Sequence, residues 1–521
     1  MLSIAAGHDV AYLTGPVAGG RESYYSGAVA AGEPAGLWYG AGADALGLRG
    51  EVGADLMEAM YSRLLDPRDP ATHSRSTWGQ AAALANAHRT YRSAEDIYAE
   101  LLTANPHARP ERRAELRAQA ERSARQAVSF IDVTFSAPKS VSVLGVAFER
   151  AAADARRAGD HQAADAWAAH QRAVEDAVLA GSRAALDYLQ DRAGYSRVGH
   201  HGGGGGRWTD AHGWMVAQFL QHDSRDRDPH LHVHNAILNR VRCADGTYRA
   251  LDSRAIHAFR GAAGAIAERV MEAHLTRALG VRFETRPDGK AREVIGVRQD
   301  VMDLFSSRRR AVTAKATQLI AAFTARFGRD PSGLEHTRLA QQATLLTRAA
   351  KSHDGESLDD RLDRWENETR TAVIGGLAQV ANDVLAHAQR VGPAAEWAVR
   401  DIVERALAAV AEGRQSWSES DLLRAVSDEL PGHLGVAPES IRDLLEGISD
   451  TTRLRAVQLS PDEPTEGLPP ELHLDDGRSV YSEPGGIRYA TNGQLAADHA
   501  LRRAAVRQGD AQSRFPRSGV A

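Results

Sequence analysis

Apolar and polar residues alternate over residues 129–136, SFIDVTFS. A period of two puts successive side chains on opposite faces of a strand. Pro138 ends this run, and VSVLGVAFERAAADARR then takes up helical spacing. AADAWAAHQRAVEDAVLAGSRAALDYLQDR continues as a long amphipathic helix. The glycine run in GHHGGGGGRWTD predicts a flexible connection. Beyond it, WMVAQFLQH (214–222) predicts a second strand, DSRDRDP a tight polar loop, and HLHVHNAILNRVR a third strand. Connections this short predict antiparallel neighbours. Residues 255–350 read as mostly helical.

The ends of the chain differ in texture. Residues 1–50 are rich in Gly, Ala and Tyr with several turn signals, and 51–128 are charged and helical, broken at Pro106 and Pro110. Towards the C-terminus, WAVRDIVERALAAVAEG, SWSESDLLRAVSDELPGHLG and APESIRDLLEGISD predict three short helices. SVYSEPGGIRYAT follows as a turn between two strand-like runs, which together suggest a small winged-helix-like module. The expected organisation is a main α+β domain over 1–350, a helical linker at 351–384, the winged-helix-like module at 385–495 and a tail at 496–521.

Composition narrows the chemistry. At 43% hydrophobic and 25% charged residues the chain can bury real cores. No stretch approaches the run of about 18 apolar residues a membrane span needs. The N-terminus lacks the features of a secretory signal. Cys243 is the single cysteine, so no internal disulfide forms and any metal must be held by His and carboxylates; a reducing cytoplasm fits. The net charge of −5 does not advertise a nucleic-acid binder, although Arg308, Arg309 and Arg310 form a local basic run.

Four histidines fall within 222–234. On a strand, His230, His232 and His234 share one face, and positions two apart lie about 6.6 Å from each other, close enough for two imidazoles on one ion. Positions four apart are too far for all three to chelate, so His222, at the end of the preceding strand, is the better third ligand and His230 is left at the rim. Three neutral nitrogens with open positions suit a reactive divalent centre rather than a closed structural one. His200, His201 and His212 lie in or beside the glycine loop and read as bystanders. In RESYYSGAV, Tyr24 and Tyr25 stand beside small residues. A phenol with a pKa of about 10 is a poor nucleophile alone but becomes competent against a metal-bound phosphate. Asp132 interrupts an apolar strand and needs a partner, for which the second N–H of a metal-binding imidazole is suitable. Lys139, at the turn from strand to helix, occupies a natural phosphate-facing position, and Arg225 and Arg227 in the loop before the histidine strand are further candidate DNA contacts.

Taken in order, SYY, WYGAGADALGLRGEV, DVTFSAPKSVS, AHQRAVEDAV, HDSRDRDPHLHVHNAILN and DGTYRAL resemble the TrwC/TraI-type (MobF) conjugative relaxases over roughly residues 1–350. The resemblance implies an HUH-endonuclease fold, a central antiparallel sheet flanked by helices with a helical flap. It implies attack by Tyr24 on the scissile phosphate at a plasmid transfer origin, giving a covalent 5′-phosphotyrosine, with Tyr24, Tyr25 and Asp132 assigned to catalysis and His222, His232 and His234 to the metal. Mg²⁺, Mn²⁺ or Zn²⁺ is the implied cofactor. Single-stranded DNA, relaxosome accessory proteins, a type IV secretion coupling protein and a separate helicase are the implied partners. The alternative within the superfamily is a rolling-circle replication initiator, which usually carries its tyrosine after the histidines rather than near the N-terminus. Three departures stand out. His230 stands where relatives commonly carry a neutral polar residue. A second tyrosine pair is missing from AVAAGEPAGLWYG, which leaves Tyr12, Tyr25 or Tyr39 as substitutes, and no G-x-x-x-x-G-K-[ST] stretch of a helicase motor occurs.

Overall fold

The computed structural model describes residues 1–8, 34–199, 206–289, 291–348, 357–389, 396–460 and 467–513. The expected strands form, and the less patterned N-terminal region supplies two more. The first seven strands in chain order are β1 (Leu2–Gly7), β2 (Leu37–Tyr39), β3 (Phe130–Ser136), β4 (Tyr195–Val198), β5 (Arg207–Asp210), β6 (Val216–Asp223) and β7 (Pro229–Leu238). Five of them make one antiparallel sheet in the order β1-β3-β7-β6-β2, with the histidine strand β7 at its centre. β4 and β5 pair separately.

Register divides the side chains between two faces. Leu2, Ile131, Val133, Phe135, Val216, Leu220, Leu231, Val233 and Ile237 share the first face and are buried in the main core. The helices that cover this core follow in order after α1 (Ala54–Arg63): α2 (Lys139–Arg157), α3 (His161–Ala193) and α4 (Ser253–Leu279). They contribute Val141, Leu144 and Phe148, then Val174 and Val178, then Ile266 and Met271. This core also closes a polar chain. Arg183 donates to Gln218 at 3.0 Å, Gln218 to Asn235 at 2.8 Å, and Asn235 to Ser182 Oγ and the Val133 carbonyl at 2.9 and 2.7 Å.

The second face is split. At one end Trp38, Phe130, Ala217, Phe219, Ala236 and Leu238 pack under α1, whose Met57, Met60 and Tyr61 are fully buried. Tyr61 donates its hydroxyl to the Ala236 carbonyl at 2.8 Å. At the other end the same face carries Asp132, Thr134, Ser136, Gln221, His232 and His234.

Beyond the sheet, α5 (Ser307–Phe327) and α6 (Gly333–Leu346) form a helical hairpin that buries almost nothing; Ala343 is its one buried residue. This exposed pair lies in the stretch where a helical flap is expected. The basic run at its base acts inward: Arg308 donates to the Thr344 and Thr347 carbonyls at the end of α6, and Arg310 to the carbonyls of Asp303 and Leu304. The segment expected to be a linker contains α7 (Leu358–Arg370) and α8 (Gly376–Ala388), whose Trp365, Leu377, Val380 and Val384 lie in the main core. The three C-terminal helices are α9 (Val399–Ala411), α10 (Glu419–Glu429) and α11 (Ile441–Arg453). Arg269 of α4 holds α10, donating to the carbonyls of Ser427, Leu430 and Pro431 that the helix end leaves unsatisfied. The accompanying ladder pairs Val457–Gln458 with Tyr489–Ala490, rather than joining the two runs of SVYSEPGGIRYAT. The first run instead bridges back to His473, because local turn bonds compete with a hairpin there.

Candidate functional site

Antiparallel pairing sets the site row by row. Thr134, His234 and Phe219 lie abreast on β3, β7 and β6, and Ser136, His232 and Gln221 form the next row. Directly paired residues share a face, so the two imidazoles, Asp132 and the Gln221 amide look out from one side of the sheet. The His232 and His234 rings stand 5.0 Å apart, edge to face.

Hydrogen bonds fix both tautomers. His234 Nδ1 donates to Asp132 Oδ2 at 2.7 Å, and Thr134 Oγ1, 3.1 Å from the same nitrogen, donates to Asp132 Oδ1 at 3.2 Å. His232 Nδ1 donates to the His230 carbonyl at 2.8 Å. With acceptors at both Nδ1 atoms, the Nε2 atoms carry the lone pairs, the arrangement of a metal-binding histidine backed by a carboxylate or carbonyl. His230 lies with its ring 4.8 Å from that of His232, and burial, then the neighbouring His232, holds its pKa well below the usual value. It is half-buried beside the row.

His222 takes a different place. The register shifts between Gln221 and Asp223, and His222 falls at this irregularity, with Nε2 3.0 Å from Glu175 Oε1 on α3. Among the described residues, the group whose ligand atoms converge within 4.8 Å is Asp210, His212 and Asp475, not the three histidines of 222–234.

The loop that joins β6 to β7 is held at three points. Asp223 meets Arg361 at 3.3 Å, the Arg227 carbonyl accepts from Trp365 Nε1 at 2.8 Å, and Asp228 accepts from the Ser307 N–H and Oγ at 2.8 and 3.0 Å. Asp228 thereby caps the positive end of α5. Arg227 takes a left-handed φ of 60° to make this turn. Lys139 Nζ donates to the Pro229 carbonyl at 2.6 Å, and burial pushes its pKa down to about 8 against the pull of Asp228 and Glu293.

Of the four tyrosines named from sequence, one lies among the described residues. Tyr39 falls on the helix-covered face, donates to Asp187 Oδ1 at 2.7 Å and lies under the Arg183 guanidinium, with burial raising its phenol pKa. As placed, it points away from the histidine row. Tyr12, Tyr24 and Tyr25 lie outside the described residues. The flanking strands β1 and β2 are the two opposite edges of the sheet, about four strand spacings of 4.8 Å apart.

Gln221 was not singled out by sequence. It is 3% exposed, and neither amide atom has a hydrogen-bond partner among the described residues. Three residues back on the same strand, Gln218 is equally buried but bonded at both ends. The signal available beforehand was a polar residue directly across the strand pair from His232.

The family model for TrwC relaxase matches residues 6–372. Among solved structures, the chain is similar to the conjugative relaxase TrwC in complex with oriT DNA. A metal-free form is 23% identical, with 71% of this chain and 98% of that chain covered at a TM-score of 0.43. A metal-bound form is 25% identical, with 72% and 99% covered at 0.43. TrwC complexed with a 27-mer DNA comprising the recognition hairpin and the cleavage site is 23% identical, with 71% and 98% covered at 0.42. No curated protein matches. At these TM-scores the assignment rests on the family match.

Proposed function

The chain belongs to the TrwC relaxase family, and from that premise we propose that it nicks one DNA strand at a plasmid transfer origin with Tyr24 as nucleophile. The observation that carries this reading is the row His232–His234–Asp132, with two imidazoles in the ligand-ready tautomer on one face of a central strand. The family match favours a transfer relaxase over a replication initiator.

The residues present fit a divalent ion. His232 and His234 would hold it through Nε2, and His222 is the proposed third ligand, which requires its imidazole to leave Glu175. An ion held there would neutralise charge building on a phosphate oxygen. Mn²⁺ and Zn²⁺ suit imidazole better than Mg²⁺. Asp132 keeps the His234 ring in place and is the carboxylate on this face able to take the phenol proton. The phenolate oxygen of Tyr24 forms a bond to phosphorus as the bond to the 3′ oxygen breaks, and that oxygen takes up a proton. One ester replaces another, so rejoining needs no nucleotide hydrolysis. Gln221 supplies a buried amide that finds its partner in the bound phosphodiester, which accounts for a polar group otherwise costly to bury. Lys139, Arg225 and Arg227 are proposed backbone contacts, with Lys139 acting from beneath the β7 start. The relaxosome, coupling-protein and helicase partners implied by the resemblance belong to this same reading. No described helix is long and apolar enough to cross a membrane, and a cytoplasmic site of action agrees with that.

The test uses a single-stranded oligonucleotide carrying the transfer-origin nick site, with the chain stripped by EDTA and resupplied with Mn²⁺. The expected result is a metal-dependent pair of products, a free 3′-hydroxyl fragment and a protein-linked 5′ fragment. Cleavage that persists in EDTA, or that leaves no linked fragment, contradicts the reading.

A further inference from the structure

A second cluster of ligand atoms lies outside the histidine row and shares no residue with it. Asp210 ends β5, His212 follows in the turn to β6, and Asp475 comes from a loop 265 residues further on. Their ligand atoms all lie within 4.8 Å of one another. The loop is laid against the β4–β5 ladder by two main-chain donors: Asp475 N–H donates to Asp210 Oδ2 at 3.0 Å, and Trp208 N–H to the Val480 carbonyl at 2.7 Å.

The hydrogen bonds leave a charge problem at the centre. His212 Nδ1 is 2.6 Å from the Gln190 carbonyl, which can only accept, so this nitrogen carries a hydrogen. The other nitrogen, Nε2, faces Asp210 Oδ1 at 3.1 Å, and a carboxylate also only accepts. A neutral imidazole would therefore set its lone pair against that of a carboxylate which is 8% exposed. Asp475 adds a second carboxylate, and that side chain makes no hydrogen bond or ion pair among the described residues. A positive charge belongs at this point. The nearby cation Arg478 is engaged elsewhere, with Asp476 and the Tyr195 hydroxyl. The Tyr195 ring closes the site from the side, edge-on to His212 at 5.5 Å.

A proton on His212 or a metal ion could supply the charge. A proton on His212 balances Asp210 and leaves the exposed Asp475 carboxylate to solvent, whereas a divalent ion with neutral imidazole balances both carboxylates and draws Asp475 onto the same centre. One imidazole nitrogen and two carboxylate oxygens form a donor set suited to Zn²⁺ or Mn²⁺. Two ligands each about 2.1 Å from a tetrahedral ion lie about 3.4 Å apart, close to the separation of Nε2 and Oδ1 here. The Gln190 carbonyl behind Nδ1 is the outer contact that orients a metal-binding histidine.

We propose that Asp210, His212 and Asp475 form a second divalent-cation site, a staple that fixes the loop around residue 475 to the β4–β5 ladder. The ion joins the winged-helix-like region to the body that carries the histidine row, so its role is to hold two parts of the chain together rather than to act on DNA. This proposal does not depend on the nicking reading.

The test loads the full chain, stripped by EDTA, with zinc chloride, and measures bound zinc by elemental analysis together with the melting temperature. Asp475→Asn is the main variant, because an exposed position tolerates it and it removes charge without volume. It is expected to lower bound zinc by about one equivalent and to abolish the part of the zinc-induced rise in melting temperature that His234→Ala retains. His212→Ala should reproduce the loss. Amide exchange in the loop around 475 should slow on adding zinc to the unaltered chain and stay fast in Asp475→Asn. If Asp475→Asn and His212→Ala bind as much zinc as the unaltered chain, the cluster is a protonated ion pair and the proposal is overturned. A single equivalent in the unaltered chain, removed by His234→Ala, overturns it equally.

Discussion

On the helix-covered face of the central sheet, Arg183, Gln218, Asn235 and Ser182 hand hydrogen bonds from one to the next within the core. On the opposite face of the same two strands, His232 and His234 present oriented imidazoles, and the buried Gln221 amide has no partner among the described residues. The polar residues of the first face complete one another and serve folding. Those of the second are oriented through Nδ1, His234 by Asp132 and His232 by the His230 carbonyl, which poises an imidazole for a ligand rather than completing a core.

The largest effect that could break this contrast is His234→Ala. It should lower metal-dependent cleavage by more than about a hundredfold, since even outer partners of metal ligands are worth about 10–100-fold, while the melting temperature of the metal-free chain barely moves. Asn235→Ala, one residue along, should do the reverse. It strands the donors and acceptors of Gln218, Ser182 and Val133 and should cost about 2–3 kcal/mol in denaturant unfolding, with cleavage by the folded fraction retained. If both variants lose stability alike, the division between the faces is wrong.

Asp132→Asn sharpens the contrast within the outward face. It replaces the charged acceptor behind His234 with a neutral amide that can also donate, so the tautomer is no longer enforced and Mn²⁺ affinity and cleavage should fall together by about 10–100-fold. Gln221→Leu is finer. It should slow cleavage about tenfold at saturating DNA with DNA affinity nearly unchanged, and it should leave stability equal or higher, because an apolar group replaces an unsatisfied amide. A drop in stability would mean that Gln221 serves the core, as Gln218 does.

The smallest effect concerns Lys139, whose pKa burial lowers to about 8. Its charge is present below that pH and lost as pH rises through it. If this cation meets a DNA phosphate, the slope of log affinity against log salt should shrink by about 0.7 between pH 7 and pH 9, and Lys139→Met should show no such change. The sign for stability follows. The folded state holds this proton less tightly than the unfolded chain, so the group's unfavourable contribution is full below about pH 8 and relieved as pH rises towards the unfolded value.

What could be read from sequence divides along the same physical line. Alternation in SFIDVTFS, WMVAQFLQH and HLHVHNAILNRVR exposed three strands, the pairing of the last two and the shared face of His232 and His234, because each of these depends on one element and its nearest neighbour; the pairing of SFIDVTFS with the histidine strand, far along the chain, was not legible. β1 and β2 escaped notice because LSIAAG and LWY are short and their pairing partners lie far along the chain. The anchoring of the histidine loop by Arg361 and Trp365 escaped for the same reason, since α7 comes more than 130 residues after the loop it holds. His212 read as a bystander beside a glycine run. Its partners, Gln190 and the loop at 475, become visible only once the chain has folded.

A tyrosine nucleophile from the segment joining the two edge strands is proposed to work against the histidine row. The most direct measurement is to trap the covalent product with a nick-site oligonucleotide, digest it, and locate the nucleotide-bearing peptide by mass spectrometry. The account predicts a 5′-phosphate esterified to Tyr24 and no adduct from Tyr24→Phe. A phosphate attached outside residues 9–33, or full cleavage by Tyr24→Phe with the adduct unchanged in yield, would contradict it.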